Sequence, residues 1–281
     1  MAPDLTRKSK FAGSFYPGSA GEIRKTLDVL RERAGEQAWD RHPPILIVPH
    51  AGWIYSGLAA VRGLATLVGS QPSRAVLIGP AHRHYFLGFS ISGYDGYETP
   101  LGRIPVDLQL QRTICDQTGF EFVEEAHEVE HSLEVIIPMI QYMLPGVKAI
   151  LPILAGSVSR ASIDMLADAL AGLLDPMSDV VLVSTDLSHF YGYNEARDLD
   201  AETLNLITGG AGEALLERSG EGGRLACGYA GVVVAIGLAR RWDLGKPELL
   251  IYYNSGDSGG DRNSVVGYAS VAYRPPDLGG V

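Results

Sequence analysis

Apolar residues fall into two recurring patterns along this chain: short uninterrupted runs and stripes with helical spacing. The runs are brief and rich in β-branched residues, so they predict buried strands at residues 45–48, 75–78, 148–154 and 180–184. The stripes predict helices near residues 21–34 and 57–68, and a third through Ile163, Leu166 and Leu170. Strands that alternate with helices in this way favour a parallel sheet covered on both faces. We therefore predict a three-layer α/β/α fold with a mostly parallel or mixed central sheet.

Local signals refine this outline. Ser19 and Glu22 have capping-box spacing at the start of the first helix, and Ser56 is placed to cap the second. A further amphipathic stretch lies near residues 107–117, and antiparallel strands are predicted around 86–92 and 265–273. The apolar stretch Cys227–Ala239 predicts a buried helix, because about twenty residues are needed to span a bilayer.

The domain organisation is simple. No internal repeat or low-complexity block interrupts the 281 residues, and residues 35–44 read only as a connection between the first helix and the first strand. We expect one domain over residues 1–281, with the Pro/Gly-rich end 275–281 as a tail.

Composition excludes several classes of protein. The 33 acidic and 23 basic residues give a formal charge of −10, which opposes binding to nucleic acid or to an anionic membrane. Residues 1–10 lack the apolar core of a signal peptide, and the 2 cysteines are far apart in sequence. These features favour a reducing, cytoplasmic location.

Candidate chemistry follows three of the predicted strands. His50 comes after the first strand, His82 after the second, and Asp186 and His189 follow the strand that ends near Ser184. Ligands of open α/β sheets bind beyond the carboxyl ends of the strands, so these side chains are expected to converge there. Two imidazoles with a third carboxylate or thiolate donor suit iron, zinc or copper.

Each of these residues also has a purely structural interpretation. A single histidine after a strand is commonly a loop or core residue, and Asp186 is equally well placed to cap a following helix. Cys227 precedes a predicted helix whose dipole favours a thiolate ligand, although an isolated cysteine is more commonly a small buried hydrophobe. Cys115 is assigned only that second role.

Two further segments carry polar residues. A run that looks helical despite Pro138 begins with Glu130-His131-Ser132-Leu133-Glu134. These residues either line the pocket expected at the carboxyl ends of the strands or form a solvated first helical turn capped by Ser132. Gly256-Asp257-Ser258-Gly259-Gly260 spells the string around a chymotrypsin-like nucleophile. The strand–helix alternation rules out that all-β fold, so this stretch is interpreted as a loop between strands. No phosphate-binding glycine motif is present.

Eight ordered blocks resemble the Memo-like family, whose members are similar to class III extradiol dioxygenases. They are Ala12-Gly13-Ser14-Phe15-Tyr16-Pro17, Pro49-His50-Ala51-Gly52-Trp53 with Tyr55-Ser56-Gly57, Gly79-Pro80-Ala81-His82, Thr99-Pro100-Leu101-Gly102, Glu130-His131-Ser132-Leu133-Glu134, Ser184-Thr185-Asp186-Leu187-Ser188-His189, Cys227-Gly228 and Tyr253-Asn254-Ser255-Gly256-Asp257. This similarity implies a single α/β/α domain. It also implies a metal position formed by His50, His82 and Cys227, with Asp186 and His189 beside it.

Two departures bear on the chemistry that the resemblance implies. The dioxygenases use a carboxylate as third iron ligand where this chain has Cys227, which argues against catechol cleavage and admits copper or zinc. The second histidine of the family's pair is Arg83 here; it either favours an anionic ligand or simply faces solvent, and His84 follows it. The resemblance also implies a radical-SAM protein and an AMMECR-like protein as pathway partners.

Three functions follow as hypotheses. The first is a cytoplasmic redox protein with a metal at His50, His82 and Cys227, iron before copper or zinc, that activates oxygen or oxidises a small substrate. The second is a metal-free thiol hydrolase or amidase with Cys227 as nucleophile, His189 as base and Asp186 as orienting group. The third is a non-catalytic module whose pocket binds a peptide or another partner.

Overall fold

A computed structural model describes residues 5–35, 39, 41–70, 72–220 and 225–275. Within these residues the strands belong to two sheets. The strands are β1 (Thr6–Arg7), β2 (Ile45–Val48), β3 (Arg74–Pro80), β4 (Phe89–Ile91), β5 (Gly96–Thr99), β6 (Gly102–Pro105), β7 (Ala149–Ala155), β8 (Asp179–Ser184), β9 (His189–Tyr191), β10 (Glu248–Asn254) and β11 (Val265–Tyr273). The helices are α1 (Ala20–Ala34), α2 (Trp53–Ala65), α3 (Leu108–Thr118), α4 (Glu124–Glu128), α5 (Ile137–Met143), α6 (Arg160–Leu173), α7 (Tyr193–Thr208), α8 (Gly212–Gly220) and α9 (Tyr229–Arg241).

The larger sheet is mixed around a parallel centre. Its strand order is β10-β11-β2-β8-β3-β7-β4, and β9 pairs with the start of β11. Strands β2, β8, β3 and β7 are parallel, whereas β4 and β11 run antiparallel to their neighbours. The smaller sheet has the order β1-β5-β6. The carboxyl ends of β2, β8 and β3 therefore lie side by side at one edge.

Helices cover both faces of the larger sheet. A methyl group added to Gly63 of α2 would lie 2.9 Å from Val48, whereas one added to Gly231 of α9 would lie 3.0 Å from Val183. Val48 is paired with Ser184, the residue after Val183, so these two valines project from opposite faces. The predicted three-layer α/β/α arrangement is confirmed.

The core lies where the apolar runs predict it. Every residue of β2 and β8 is buried, and β3 and β7 are buried after their first residue. Continuous burial on both faces explains why these strands read as uninterrupted apolar runs rather than alternating ones. The predicted antiparallel strands are confirmed as β4 and β11.

Three local predictions are wrong. Helix α2 begins at Trp53 with Gly52 as its cap, and Ser56 lies inside it with its hydroxyl donated to the Ala51 carbonyl. The helical hydrogen bonds start earlier than the prediction because the Ser56 N–H already bonds the Gly52 carbonyl.

The helix expected from Ser132 starts only at Ile137, with Pro138 in its first turn, where a missing N–H costs nothing. Ser132 caps no helix; its hydroxyl bonds the Pro80 carbonyl. Asp186 is followed by β9 rather than by a helix, so it is not a helix cap either. The predicted tail lies outside the described residues beyond Pro275.

Among the described helices, none combines the length and apolar character needed to cross a bilayer.

Candidate metal centre

The parallel strands bring the predicted histidines together at their carboxyl edge. His50 lies two residues after β2 and His82 two residues after β3, while β8 runs between these strands. The ring centroids of His50 and His82 are 5.3 Å apart. The predicted convergence of these two side chains is therefore observed.

His131 is the third histidine of this group. Ligand-capable nitrogen atoms of His50, His82 and His131 all lie within 4.8 Å of one another. The His131 ring centroid is 4.7 Å from that of His82 and 5.5 Å from that of His50. Unlike the other two, His131 belongs to the irregular segment before α5 that crosses the end of the sheet, where Ser132 bonds Pro80.

The hydrogen bonds of His50 fix its tautomer. Ser184 donates its hydroxyl hydrogen to the Ser132 carbonyl at 2.7 Å, so its oxygen must accept from His50 Nδ1, which lies 2.6 Å away. Nε2 of His50 is thereby left unprotonated, with a lone pair that can bind a cation or accept a hydrogen bond. Burial lowers the pKa of His50 to about 4, so the ring stays neutral at physiological pH.

Glu130 holds His82 in the same way. One Glu130 oxygen accepts the backbone N–H of His82 at 2.6 Å, and the other accepts its Nδ1–H at 2.8 Å. The second oxygen also accepts the backbone N–H groups of His131 and Ser132, both at 2.9 Å. Burial by itself would raise the pKa of Glu130, but the contacts with His131 and His82 outweigh it and lower the pKa. Glu130 is therefore an ionised acceptor, and His82 also presents Nε2.

His131 carries a buried nitrogen that lacks a hydrogen bond. Its Nδ1 lies 3.0 Å from the nearer Glu130 oxygen, close enough for an ion pair, but among the described residues it meets hydrogen-bond geometry with no acceptor or donor. Buried imidazole nitrogens are normally hydrogen-bonded or bound to a metal. His131 is therefore a third imidazole beside two rings that already present Nε2, and a set of three neighbouring imidazoles fits a transition-metal ion.

Cys227 lies against His50. Its Sγ is 3.4 Å from His50 Nε2 and accepts the backbone N–H of Asp186 at 3.2 Å. This approach requires Gly228, because a Cβ there would lie 2.3 Å from the Ser184 carbonyl oxygen. Burial and the neighbouring Asp186 raise the pKa of the Cys227 thiol, so the expected helix-dipole thiolate is not favoured without a bound cation.

Asp186 anchors the backbone of His50 and faces the same space. One carboxylate oxygen accepts the N–H of His50 at 2.9 Å and that of Ala51 at 3.4 Å. The other oxygen is 4.0 Å from His50 Nε2. His189, by contrast, has a ring contact with Phe190, and within the described residues it forms no hydrogen bond or ring contact with the three clustered histidines.

The N-terminal segment lies beside the candidate metal centre, where Phe11 and Phe15 contact the His131 ring. A buried ion pair joins Arg7 to Glu134 at 2.6 Å, and the Glu134 carboxylate also accepts the Phe11 N–H. The rings of Phe11 and Phe15 then pack at 5.7 and 4.7 Å from the His131 ring. A segment far from the histidines in sequence is thus fixed beside them.

From the sequence, the Glu130–Glu134 segment was expected either to line the pocket at the strand ends or to form a solvated first turn, and neither His131 as a ligand candidate nor Glu130 as the group that holds His82 was predicted. These residues lie between two helices and follow no strand, so their position at the sheet edge does not follow from the order of the strands. The signal present in the sequence was the Glu130-His131 pair itself, since a carboxylate beside a histidine is a common way to orient an imidazole.

Fold and site define a class of protein, an α/β/α domain with a histidine cluster at the carboxyl edge of its sheet. The family model of Memo-like proteins matches residues 7–272, and the chain belongs to that family.

Two relatives illustrate the match. A MEMO1 family protein of Methanobrevibacter smithii is 34% identical over 285 residues, covering 96% of this chain and 100% of the relative. One of Metallosphaera sedula is 30% identical over 282 residues, covering 96% and 99%. The crystal structure of an uncharacterized protein from Escherichia coli K12 is similar in fold, with a TM-score of 0.54 and 16% identity over 82% of this chain and 99% of that one.

Proposed function

We propose that this chain is a metal-dependent redox protein whose centre is held by His50, His82 and Cys227, with iron as the first candidate and copper or zinc as alternatives. A small molecule or peptide is its ligand class. A radical-SAM protein and an AMMECR-like protein are the pathway partners that the family resemblance implies.

The orientation of the two strand-end imidazoles carries the proposal. Ser184 and Glu130 each take the Nδ1–H of one ring, so His50 and His82 turn Nε2 lone pairs towards a common space. Holding a ligating histidine through its other ring nitrogen is the usual arrangement around protein-bound metals. Both rings are thereby ready to bind before an ion arrives.

Cys227 is spaced as a thiolate ligand with respect to His50 alone, since among the described residues the ligand atoms within 4.8 Å of one another belong to His50, His82 and His131. Zn–S and Zn–N bonds of ordinary length at a tetrahedral ion place the sulfur and nitrogen about 3.6 Å apart. Sγ of Cys227 lies 3.4 Å from Nε2 of His50. Copper and iron also accept a mixed set of imidazole and thiolate ligands. His131 lies within reach as a further ligand.

A transition metal here would supply Lewis acidity and one-electron chemistry towards oxygen or a small substrate. The protein's own contribution is to orient the ligands and to hold protons nearby. Asp186, with one oxygen 4.0 Å from His50 Nε2, is the proposed acid–base group, and His189 is the alternative residue for that role.

The thiol hydrolase hypothesis receives no support from the geometry. Among the described residues no hydrogen bond joins Cys227 to His189, whose ring instead contacts Phe190. Burial raises the pKa of the Cys227 thiol, which opposes formation of the nucleophilic thiolate in metal-free protein.

Metal analysis after anaerobic purification tests the proposal. We expect about one transition-metal ion per wild-type chain, and a large loss in a His50→Ala/His82→Ala variant. His84→Ala is the matched control because His84 is exposed and lies two residues from His82. Cys227→Ser and His131→Asn then show which residue completes the ligand set. Equal metal content in wild-type and double-variant protein would overturn the proposal.

A further inference from the structure

Exposed apolar side chains follow the strands at the edge of the sheet that carries the candidate metal centre. Five large hydrophobic residues in segments that follow the strand ends are between 43% and 82% exposed: Ile54, Tyr55, Tyr85, Leu87 and Phe190. They come one to five residues after His50, His82 or His189. We call these five residues the apolar rim.

Contacts of three residues of the apolar rim place them at one edge of the sheet. Leu87 bridges to Ser157, just beyond the end of β7. The Tyr55 carbonyl accepts the hydroxyl of Tyr253, near the end of β10. Phe190 lies in β9, which pairs with the first residues of β11. All of these are at the edge where β2, β3 and β8 end, so the apolar rim and the histidines share that edge.

Phe190 is held in this position at a conformational cost. Its φ of 65° lies in the left-handed region that non-glycine residues rarely adopt. The strained residue nevertheless presents an aromatic ring that is 75% exposed. Strained backbone that persists in a fold concentrates at ligand-binding sites.

Arg83 supplies a positive charge at the edge of the sheet that carries the histidines. Its side chain is exposed, and among the described residues it forms no ion pair with a carboxylate. The guanidinium carbon lies 5.9 Å from the centre of the Phe11 ring, which in turn packs 5.7 Å from the His131 ring. A cation held over an aromatic ring keeps its donors free for an anion.

The nearby acidic groups are already occupied. Glu134 is paired with buried Arg7, and Glu130 accepts hydrogen bonds from His82 and its neighbours. Neither Glu130 nor Glu134 is therefore a carboxylate partner of Arg83, although the chain carries a formal charge of −10. A single free guanidinium is matched to one ligand carboxylate, and it does not offset the repulsion of a polyanion.

We propose that this surface binds a small organic carboxylate with an apolar body. Arg83 takes the carboxylate, and the apolar rim covers the hydrocarbon or aromatic body. The inference deepens the proposed function, on which it rests for the place where the ligand would react. Binding of the ligand itself depends on Arg83 and the rim, so it is measurable without metal.

A charged and a neutral ligand of similar shape separate the contribution of charge to binding affinity from that of apolar contact. We would titrate 3-phenylpropionate and neutral 3-phenylpropan-1-ol into chelator-treated and metal-loaded protein, following binding by calorimetry or ligand-observed NMR. Wild-type protein should bind the acid about tenfold more tightly than the alcohol, and Arg83→Gln should remove that difference in both preparations. Leu87→Ser should weaken both probes alike. Arg112→Gln is the control, since Arg112 is an exposed arginine of α3.

Two results would overturn the inference. One is equal affinity of wild-type protein for the acid and the alcohol. The other is an acid affinity that Arg83→Gln leaves unchanged, as direct metal coordination of the carboxylate would give. Metal content, measured on the same samples, judges the proposed function separately. If 3-phenylpropionate binds in an Arg83-dependent way but the protein takes up no metal, the redox proposal is contradicted and the carboxylate site is supported.

Discussion

Replacing Glu130 by glutamine tests how the centre is organised. The carboxylate accepts four N–H groups: the His82 backbone N–H at 2.6 Å, the His82 Nδ1–H at 2.8 Å, and the backbone N–H groups of His131 and Ser132, both at 2.9 Å. A glutamine keeps its carbonyl oxygen for the three donors on one side and turns its amide donors towards the fourth. One charge-assisted hydrogen bond is lost and two donors face each other at a buried position.

The magnitude follows from that geometry. A hydrogen bond to a charged group is worth about 1.5–3 kcal/mol, and the three retained bonds lose their charge assistance. We expect Glu130→Gln to lower the free energy of unfolding by about 3 kcal/mol. Because the hydrogen bond to His82 Nδ1–H loses its charge assistance and the His82 backbone N–H loses its acceptor, the ring is held less firmly and metal affinity should fall by about 10–100-fold.

The assay is urea unfolding of metal-free protein together with a competitive metal titration. Because the pKa of folded Glu130 is lowered, its stabilisation is complete above the ordinary glutamate pKa of about 4.3 and is lost as pH falls below it. The stability gap between wild-type and variant should therefore narrow in acid. Glu217→Gln, on the exposed side of α8, is the control. Unchanged stability and metal affinity in Glu130→Gln would refute the assigned role.

Three further outcomes are expected. Gly228→Ala should destabilise the fold by about 1–3 kcal/mol and weaken metal binding, because its Cβ would lie 2.3 Å from a carbonyl oxygen and displace the adjacent cysteine. Arg7→Met should cost about 3–5 kcal/mol in unfolding experiments, since it leaves a buried carboxylate unpaired. Burial lowers the pKa of His127 to about 3, so wild-type protein should lose about 2 kcal/mol between pH 7 and pH 5 that His127→Gln retains.

Each of these outcomes has its own comparison. Gly172 has open space around its Cα within α6, so Gly172→Ala should be neutral or stabilising. Lys8 forms an exposed ion pair with Glu98, so Lys8→Met should cost at most about 1 kcal/mol. Unfolding curves that do not separate these pairs would contradict the packing and charge arguments. A His127→Gln variant with the same acid sensitivity as wild type would contradict the burial argument.

The elements that sequence predicted best are those whose burial is uniform. Strands β2 and β11 appear at the predicted residues because almost all of their residues are buried, and a short, largely apolar run with both faces buried is typical of a strand inside a covered sheet. His50 and His82 were placed correctly because parallel strands carry whatever follows them to one edge.

The parts that sequence did not predict depend on long-range contacts. The segment before α5 has the composition of a helix, yet its Ser132 hydroxyl and the neighbouring N–H groups bond Pro80 and Glu130 instead. Local periodicity carries no information about such partners, so His131 was not recognised as a ligand candidate. Helix α2 shifted for a similar reason, since the Trp53 N–H bonds the carbonyl of Phe15 in a distant segment.

An anomalous-scattering map of crystals grown from anaerobically purified protein tests the central claim most directly, because it reports the element and its ligands together. We predict one transition-metal peak bound by Nε2 of His50 and Nε2 of His82, with Sγ of Cys227 as the next ligand. A map from metal-supplemented crystals with no peak between these two rings, or with a ring turned so that Nδ1 faces the space, would contradict the account.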